Sequence, residues 1–224
     1  MILSADKRFI FIHVPKAEGT SINSAFSLHD AFFPVSGAKL DGRRKHAEKI
    51  GLPVAAADLG VHASAKCFIA ALGREAYDSY FSFAFVRNPW DVAVSWFHYR
   101  LINPTVAGHK EAAAAGTFET YAKANLNGAD ARILAGVQHS FVVDDADALA
   151  VNFIGRYESL AEDFVQVKAR LAVDTLELDH FNQSYHAPWA QLYTRETFAI
   201  VGGLVAADAQ LFGYPTAPEA YGVS

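Results

Sequence analysis

The clearest pattern in the chain is a pair of continuous apolar runs, at residues 9–14 and 81–86. Neither run alternates with polar residues, which is typical of strands that are covered on both faces in a parallel sheet. A helix pattern follows each run. Ile22 and Phe26 repeat at helical spacing after the first, and Pro89 suits the first helical position after the second. The sequence therefore predicts strand, tight loop and helix twice.

Further elements are predicted between and after these two units. Ser64 is placed to cap a helix that Gly73 ends. A short strand at 151–154 leads into a helix at 158–171, and a final helix is predicted at 195–212. This order predicts a three-layer α/β fold with a central parallel sheet flanked by helices.

The chain has no internal repeat and no low-complexity linker, and 224 residues fall in the range of one domain. We therefore expect a single domain over residues 1–224. The sequence patterns at 35–61 and 103–150 do not predict helices or strands clearly. Elements that bind an acceptor could lie there.

Composition limits the classes of protein that fit. Hydrophobic residues make up 52% and charged residues 19%, which argues against disorder, and no apolar run approaches the ~20 residues of a membrane span. The first apolar run is interrupted too soon, by Pro15 and Lys16, for a signal peptide. The single cysteine, Cys67, excludes an internal disulfide. We expect a cytoplasmic protein.

The formal charge of −5 argues against non-specific binding to nucleic acid, which needs many basic side chains on phosphates. The chain nevertheless contains one cluster of basic residues. A solvent-exposed face explains this cluster better than a surface patch that binds an anionic acceptor. The cluster consists of Lys39, Arg43, Arg44, Lys45 and Lys49.

The loop after the first strand carries the first candidate chemistry, at residues 15–21. It lies where the carboxyl end of a parallel strand turns into a helix, and there the free N–H groups of a helix favour an anion. Gly19 lets the backbone approach a phosphate, Thr20 and Ser21 offer hydroxyl donors, and Lys16 offers a charge. From these residues alone, a helix N-cap at Thr20 or Ser21 beside a surface lysine explains the pattern equally well.

The second strand ends on Arg87, and Ser95 follows inside the next helix. At ~1.5 Å rise per residue, Ser95 lies about 9 Å along the helix from Pro89, so Arg87 and Ser95 could bracket a second phosphate. For either residue alone, a surface arginine or a serine bonded to its own helix is the commoner outcome.

Taken together, the two segments resemble a known family. Residues 9–16 with Gly19, Thr20 and Ser21 are similar to the 5′-phosphosulfate loop of sulfotransferases, in the carbohydrate-sulfotransferase group that includes the heparan 2-O-sulfotransferases. Residues 85–89 with Ser95 resemble that family's 3′-phosphate segment. Residues 154–160 and 211–214 are also similar to family segments.

The resemblance implies a P-loop-like fold, 3′-phosphoadenosine 5′-phosphosulfate (PAPS) as donor and no required metal. The 5′-phosphosulfate is expected on Lys16, Gly19, Thr20 and Ser21, and the 3′-phosphate on Arg87 and Ser95. Ala17 and Glu18 depart from the threonine and small residue common in the family. A carboxylate at Glu18 would weaken donor binding unless it points outward.

Sulfuryl transfer to a hydroxyl requires a base, and His62 is the best candidate. It lies between the two phosphate segments, and residues 61–64 resemble the family's catalytic histidine segment. The rival is His13, which abuts the loop but ends a buried strand, where a core histidine is commoner. His180 and His186 lack the i,i+4 spacing of a helical zinc pair. Residues 182–186 could form a late loop over the 3′ side of the donor.

Two other functions stay open. A P-loop kinase with ATP and magnesium is supported by residues 141–145, which resemble a strand that ends in a metal-binding aspartate, but Lys16 is not in the position of the P-loop lysine. A non-catalytic homologue that binds a nucleotide or a glycan is supported by Glu18. The acceptor is a small molecule or glycan: a carbohydrate, a lipid-linked sugar and a small alcohol all fit. The oligomeric state is not predicted.

Overall fold

The structure is a computed structural model that describes residues 1–27, 33–34, 40–126, 131–178 and 187–223. The strands are β1 (Ile2–Ser4), β2 (Phe9–Ile12), β3 (Phe33–Pro34), β4 (Phe81–Val86) and β5 (Phe153–Arg156). The helices up to the middle of the chain are α1 (Gly19–Ser27), α2 (Leu40–Lys49), α3 (Val54–Ala57), α4 (Ala65–Leu72), α5 (Arg74–Asp78), α6 (Pro89–Ile102) and α7 (His109–Ala115). The later helices are α8 (Phe118–Asn125), α9 (Ala131–Leu134), α10 (Val137–Val142), α11 (Leu160–Leu171), α12 (Arg195–Leu204) and α13 (Ala206–Phe212). Short 3₁₀ helices lie at Tyr157–Ser159, Trp189–Leu192 and Pro218–Tyr221.

The strands form one sheet in the order β3-β1-β2-β4-β5. The centre is parallel: Phe9 of β2 pairs with Phe81 of β4, and Phe83 of β4 pairs with Phe153 of β5. Strand β1 runs antiparallel to β2 and to β3. The predicted α/β fold with a parallel centre and flanking helices is confirmed, and the antiparallel strands β1 and β3 add to it.

The chain divides into two compact units, and each contains part of the predicted site. Unit 1 is Met1–Val86 with Ser140–Phe181, and unit 2 is Arg87–His139 with Asn182–Ser224. The single domain over 1–224 stays a prediction.

Unit 1 is built around the sheet, both faces of which are covered. Phe9 and Phe11 of β2 lie on one face, and Ile10 and Ile12, which point to the other, are also fully buried. The first face packs with α1 and α11 into an aromatic core. Its members include Phe26, Phe83, Phe85, Phe164, Val167 and Leu171.

Unit 2 is built around α6, which begins at Pro89 as predicted. The side chain of Asn88 caps this helix by accepting from the backbone N–H of Trp90 at 3.0 Å. The Trp90 ring stacks on Phe198 of α12 at 4.5 Å between centroids, and its Nε1 donates to the carbonyl oxygen of Phe198 at 3.0 Å. These contacts anchor the helix that carries Ser95. Among the helices of the described residues, none has the length and apolar character that crossing a membrane requires.

Several predicted elements differ in their bounds. The first strand ends at Ile12, the strand predicted at 151–154 lies at Phe153–Arg156, and a 3₁₀ turn precedes α11. The final helix is not continuous over 195–212, because it breaks at Val205 after two glycines that weaken the last turn of α12. Residues 141–142 belong to α10 and not to a strand, so the kinase interpretation loses its predicted strand.

Candidate functional site

The loop between β2 and α1 has an unusual backbone. Lys16 and Glu18 have φ angles of 66° and 59°, in the left-handed region, and the intervening Ala17 is buried. Loops in which the backbone conformation alternates in this way direct successive N–H groups toward one concavity, which attracts anions. Since left-handed backbone costs a non-glycine residue roughly 1 kcal/mol or more, these two positions are strained. Such strain is common at binding sites.

Glu18 directly precedes α1 and turns its carboxylate toward the helix. Its carbonyl oxygen accepts from the N–H of Ile22 at 3.2 Å, and its Oε2 accepts from the hydroxyl of Ser21 at 2.8 Å. Ser21 is buried and Thr20 is exposed. The carboxylate thus accepts a hydrogen bond from one of the hydroxyls predicted to bind the donor. It lies beside the first turn of α1, where a negative charge is favoured.

Gly19 and His13 are brought into close contact. A Cβ atom on Gly19 would lie 1.9 Å from Cδ2 and 2.1 Å from Nε2 of the His13 ring, so any other residue at position 19 would collide with the imidazole. His13 is 8% exposed, and its Nδ1 accepts from Nδ2 of Asn23 at 2.9 Å. Burial lowers the pKa of His13 to about 2, so the ring is neutral at physiological pH.

His62 is exposed and is held by the backbone of the same loop. Its Nδ1 donates to the carbonyl oxygen of His13 at 3.1 Å, and the two imidazole rings lie 4.5 Å apart. Because the carbonyl can only accept, Nδ1 carries the proton of the neutral ring and Nε2 carries a lone pair. The arrangement leaves His62 able to accept a proton at Nε2.

Arg87 lies in unit 2, where both its side chain and its backbone form hydrogen bonds. Its guanidinium donates to both carboxylate oxygens of Asp91, from Nε at 2.7 Å and from the second terminal nitrogen at 2.9 Å. Its backbone N–H donates to Oε1 of Gln138 at 2.8 Å, and Nε2 of Gln138 donates to its carbonyl oxygen at 2.7 Å. These contacts fix the side chain and backbone of Arg87, a residue that is 7% exposed, just before α6.

Ser95 lies two turns further along α6 and is also buried. Asp91 and Ser95 are four residues apart in α6, so they lie on one face of the helix, and Arg87 precedes the helix by two residues. Within the described part of the chain, the Ser95 hydroxyl forms no hydrogen bond. The expected bond to its own helix backbone is therefore not formed.

The predicted residues thus separate by unit. Unit 1 brings His62, His13 and Gly19 together and contains Lys16, Thr20 and Ser21, whereas Arg87 and Ser95 belong to unit 2. Sequence reasoning missed Asn23, Asp91 and Gln138. The i,i+4 spacing of Arg87 and Asp91 was a usable signal, but nothing in the sequence pairs Gln138 with a backbone 51 residues away.

Other candidate residues have structural partners. Arg44 of the basic cluster forms a two-point ion pair with Asp58, from Nε at 2.7 Å, and Arg43 donates to the carbonyl oxygen of Leu59 at 3.3 Å. Asp144, the aspartate of the kinase interpretation, pairs with Arg74 at 2.8 Å. Lys39, His180 and residues 182–186 lie outside the described residues.

Two further features of the described residues bear on the location of the site. A cleft of about 370 Å³ is lined by residues 78–81 with Asn152 and Arg170. It lies at the amino end of β4, the opposite edge from the loop after β2. Over the described ranges, no group of three or more His, Cys, Asp or Glu side chains could hold a metal ion.

Comparison with protein families matches residues 1–215 to the sequence profile described as the sulfotransferase family. Among curated proteins, none matches the chain. The matched range includes both units and every predicted site residue, and the mixed α/β fold agrees with the match.

Proposed function

Since the chain belongs to the sulfotransferase family, we propose that it transfers a sulfuryl group from PAPS to an acceptor hydroxyl, with His62 as general base. The acceptor oxygen forms a bond to sulfur while the bond from sulfur to the bridging phosphate oxygen breaks. The acceptor proton moves to Nε2 of His62, and adenosine 3′,5′-bisphosphate leaves. A carbohydrate is the acceptor class that the sequence resemblance favours.

The observation that carries the role of His62 is its hydrogen bond to the carbonyl oxygen of His13. This bond fixes the tautomer with a lone pair on Nε2, and it ties the ring to the residue that leads into the anion loop. A base must lie near the reacting group and have a free lone pair before its basicity matters. His62 is exposed, so an acceptor hydroxyl can reach it.

The loop at 15–21 supports donor binding. The alternating backbone at residues 16–18 and the start of α1 offer N–H groups to the 5′-phosphosulfate, and Lys16 would offset the charge that develops on the bridging oxygen. For the 3′-phosphate we propose Arg87 and Ser95. Asp91 accepts from two of the N–H donors of Arg87 and so fixes the direction of the guanidinium.

Thermal unfolding with candidate nucleotides tests the donor. Adenosine 3′,5′-bisphosphate at 100 times its Kd, without magnesium, should stabilise the protein by about 2.7 kcal/mol, or roughly 5–10 °C in Tm. Stabilisation by ATP that depends on magnesium, with none by the bisphosphate, would instead support a kinase.

Transfer of labelled sulfate from PAPS tests the reaction itself. A panel with a glycan, a lipid-linked sugar and a small alcohol should show which hydroxyl accepts the label. Binding of the bisphosphate with no transfer to any acceptor or to water would support a non-catalytic nucleotide-binding protein.

A further inference from the structure

His13 has one ring nitrogen that the contacts described above do not use. Nδ1 accepts from the side-chain amide of Asn23, and since an amide N–H can only donate, the proton of the neutral ring is on Nε2. Among the described residues, none forms a hydrogen bond with Nε2. Nε2 itself is not fully buried, so a ligand can reach it although the residue is only 8% exposed.

The position of Nε2 indicates what its partner is. The Cδ2–Nε2 edge of the ring lies against Gly19, the first residue of α1, and Phe11 stacks on the ring at 6.0 Å between centroids. Helix α1 has nine residues, and its first N–H groups attract an anion. The donor at Nε2 is therefore directed to the place where an anion is expected.

The charge state of His13 allows the ring to donate a hydrogen bond but not to act as a base. Burial holds the ring neutral, and the lone pair of Nδ1 is already used by Asn23. A neutral imidazole with its proton on Nε2 can donate one hydrogen bond to an anion at any pH above its low pKa.

From this geometry we propose that His13 binds the donor nucleotide directly, by donating from Nε2 to an oxygen of its 5′-phosphate. This inference rests on the proposed function, because it requires a nucleotide anion in the loop at 15–21. It gives the two histidines different roles: His13 donates to the donor nucleotide, and His62 accepts the proton of the acceptor. Asn23 acts as a positioning residue that fixes the tautomer of His13.

Calorimetric titration of the full chain with two nucleotides tests the contact. His13→Phe should weaken binding of adenosine 3′,5′-bisphosphate by roughly 10-fold to 100-fold, as expected for loss of a hydrogen bond to a charged group. Binding of adenosine 3′-phosphate, which lacks the 5′-phosphate, should not change. His13→Gln keeps an amide donor at a similar distance and should retain most of the affinity.

The outcomes separate this inference from the proposed function. Absence of bisphosphate binding by the wild type would overturn the proposed function and this inference with it. Equal bisphosphate affinity of the wild type and a folded His13→Phe protein would overturn the role of His13 alone. An equal loss for both nucleotides would also overturn it, since it would indicate a structural defect.

A measurement on the wild type is independent of whether the variants fold. Nitrogen-15 NMR of the histidine side chains should show His13 with its proton on Nε2, and addition of the bisphosphate should shift Nε2 and its proton more than Nδ1. A proton on Nδ1, or no response of Nε2 while the nucleotide binds, would overturn the proposal.

Discussion

Glu18 places a negative charge where the loop at 15–21 should receive an anion. Its carboxylate accepts from Ser21 and lies at the N-terminus of α1, so a phosphosulfate bound as proposed would compete with it for the same groups. Glu18 is thus the residue of the loop whose replacement should improve the site.

We expect Glu18→Gly to tighten binding of adenosine 3′,5′-bisphosphate by roughly tenfold, or about 1.4 kcal/mol. It removes the charge and also relieves the left-handed backbone at this position. Glu18→Gln is the matched control, because it removes only the charge. Calorimetry gives both affinities, and weaker binding by both variants would show that the carboxylate helps to form the loop.

His62→Ala should lower the rate of sulfuryl transfer by roughly 10² to 10⁴, which is the usual contribution of a general base. Its affinity for adenosine 3′,5′-bisphosphate should stay unchanged, since a base for the acceptor does not contact the nucleotide. Transfer of labelled sulfate and calorimetry measure the two effects. A near-normal rate in the folded variant would rule out His62 as the base.

A single substitution of Arg87 should affect stability as well as binding, because its partner Asp91 is equally buried. Removing one member of a buried ion pair leaves an uncompensated charge, at a cost of about 3–5 kcal/mol. We therefore expect Arg87→Ala to destabilise the protein by that amount, and the double variant with Asp91→Ala to recover much of the stability. Urea unfolding of the two variants checks this prediction.

The same double variant isolates the role of Arg87 in recognition. We propose that Arg87 gives the wild type a preference for adenosine 3′,5′-bisphosphate over adenosine 5′-phosphate, and the double variant should lose this preference. A preference that survives in the double variant would remove Arg87 from the 3′-phosphate site.

At the scale of elements, β5 depends on a glycine. A Cβ on Gly155 would lie 2.3 Å from the ring of Phe85 on the neighbouring strand. Gly155→Ala should therefore destabilise the protein by about 1–3 kcal/mol, as overpacking of a core does. Gly42 in α2, whose Cβ would meet nothing within 4 Å, provides the control. Gly42→Ala should be neutral or stabilising by up to about 1 kcal/mol, and urea unfolding compares the two.

The elements that the sequence predicted correctly are those with a strong local pattern. The run at 81–86 became β4 with the same bounds, and Ser64 and Gly73 flank α4. The capping role expected of the Ser64 side chain is absent, since its hydroxyl contacts Sγ of Cys67 at 3.2 Å. Local patterns fix the element type, but a side chain's partner depends on competition among neighbours.

The elements that were missed depend on distant contacts. Strand β1 has only three residues, which are too few to show the alternation of apolar and polar residues that predicts a strand. It forms because β2 offers a free edge for pairing. Helix α10 has a strand-like sequence at Phe141 and Val142, yet its first N–H groups bond to the carboxylate of Asp208, at 2.6 Å for His139. In the site, the tautomers of His13 and His62 depend on Asn23 and on a backbone carbonyl, which no spacing indicates.

At the scale of the whole molecule, two buried groups give stability opposite dependences on pH. The pKa of His13 is lowered by burial to about 2, so the unfolded chain binds the extra proton below pH 6.5 and stability falls as pH decreases. Burial raises the pKa of Asp208 to about 6, so the folded protein binds the extra proton between pH 3.8 and 6. For Asp208, stability is therefore lost as pH rises through that window, by up to about 3 kcal/mol.

Variants at the two positions should shift the pH profile in opposite directions. The difference in free energy of unfolding between Asp208→Asn and the wild type should favour the variant more at pH 8 than at pH 4.5. The reason is that the buried carboxylate of the wild type is charged only at the higher pH. His13→Gln should gain relative stability at pH 4.5 instead. Urea unfolding at pH 4.5, 6 and 8 measures both, and parallel profiles for the wild type and both variants would contradict the burial of these groups.

The division of unit 1 into two chain segments has a consequence during synthesis on the ribosome. The aromatic face of β2 and β4 is covered by Phe164, Val167 and Leu171 of α11, and all of residues 87–139 are translated between the strands and that helix. Until α11 emerges, a nascent chain carries the Phe9, Phe11 and Phe83 side chains without their final cover. Exposed apolar surface of this kind promotes aggregation. Before residue 171 is made, this apolar surface is therefore available to other nascent chains and to chaperones.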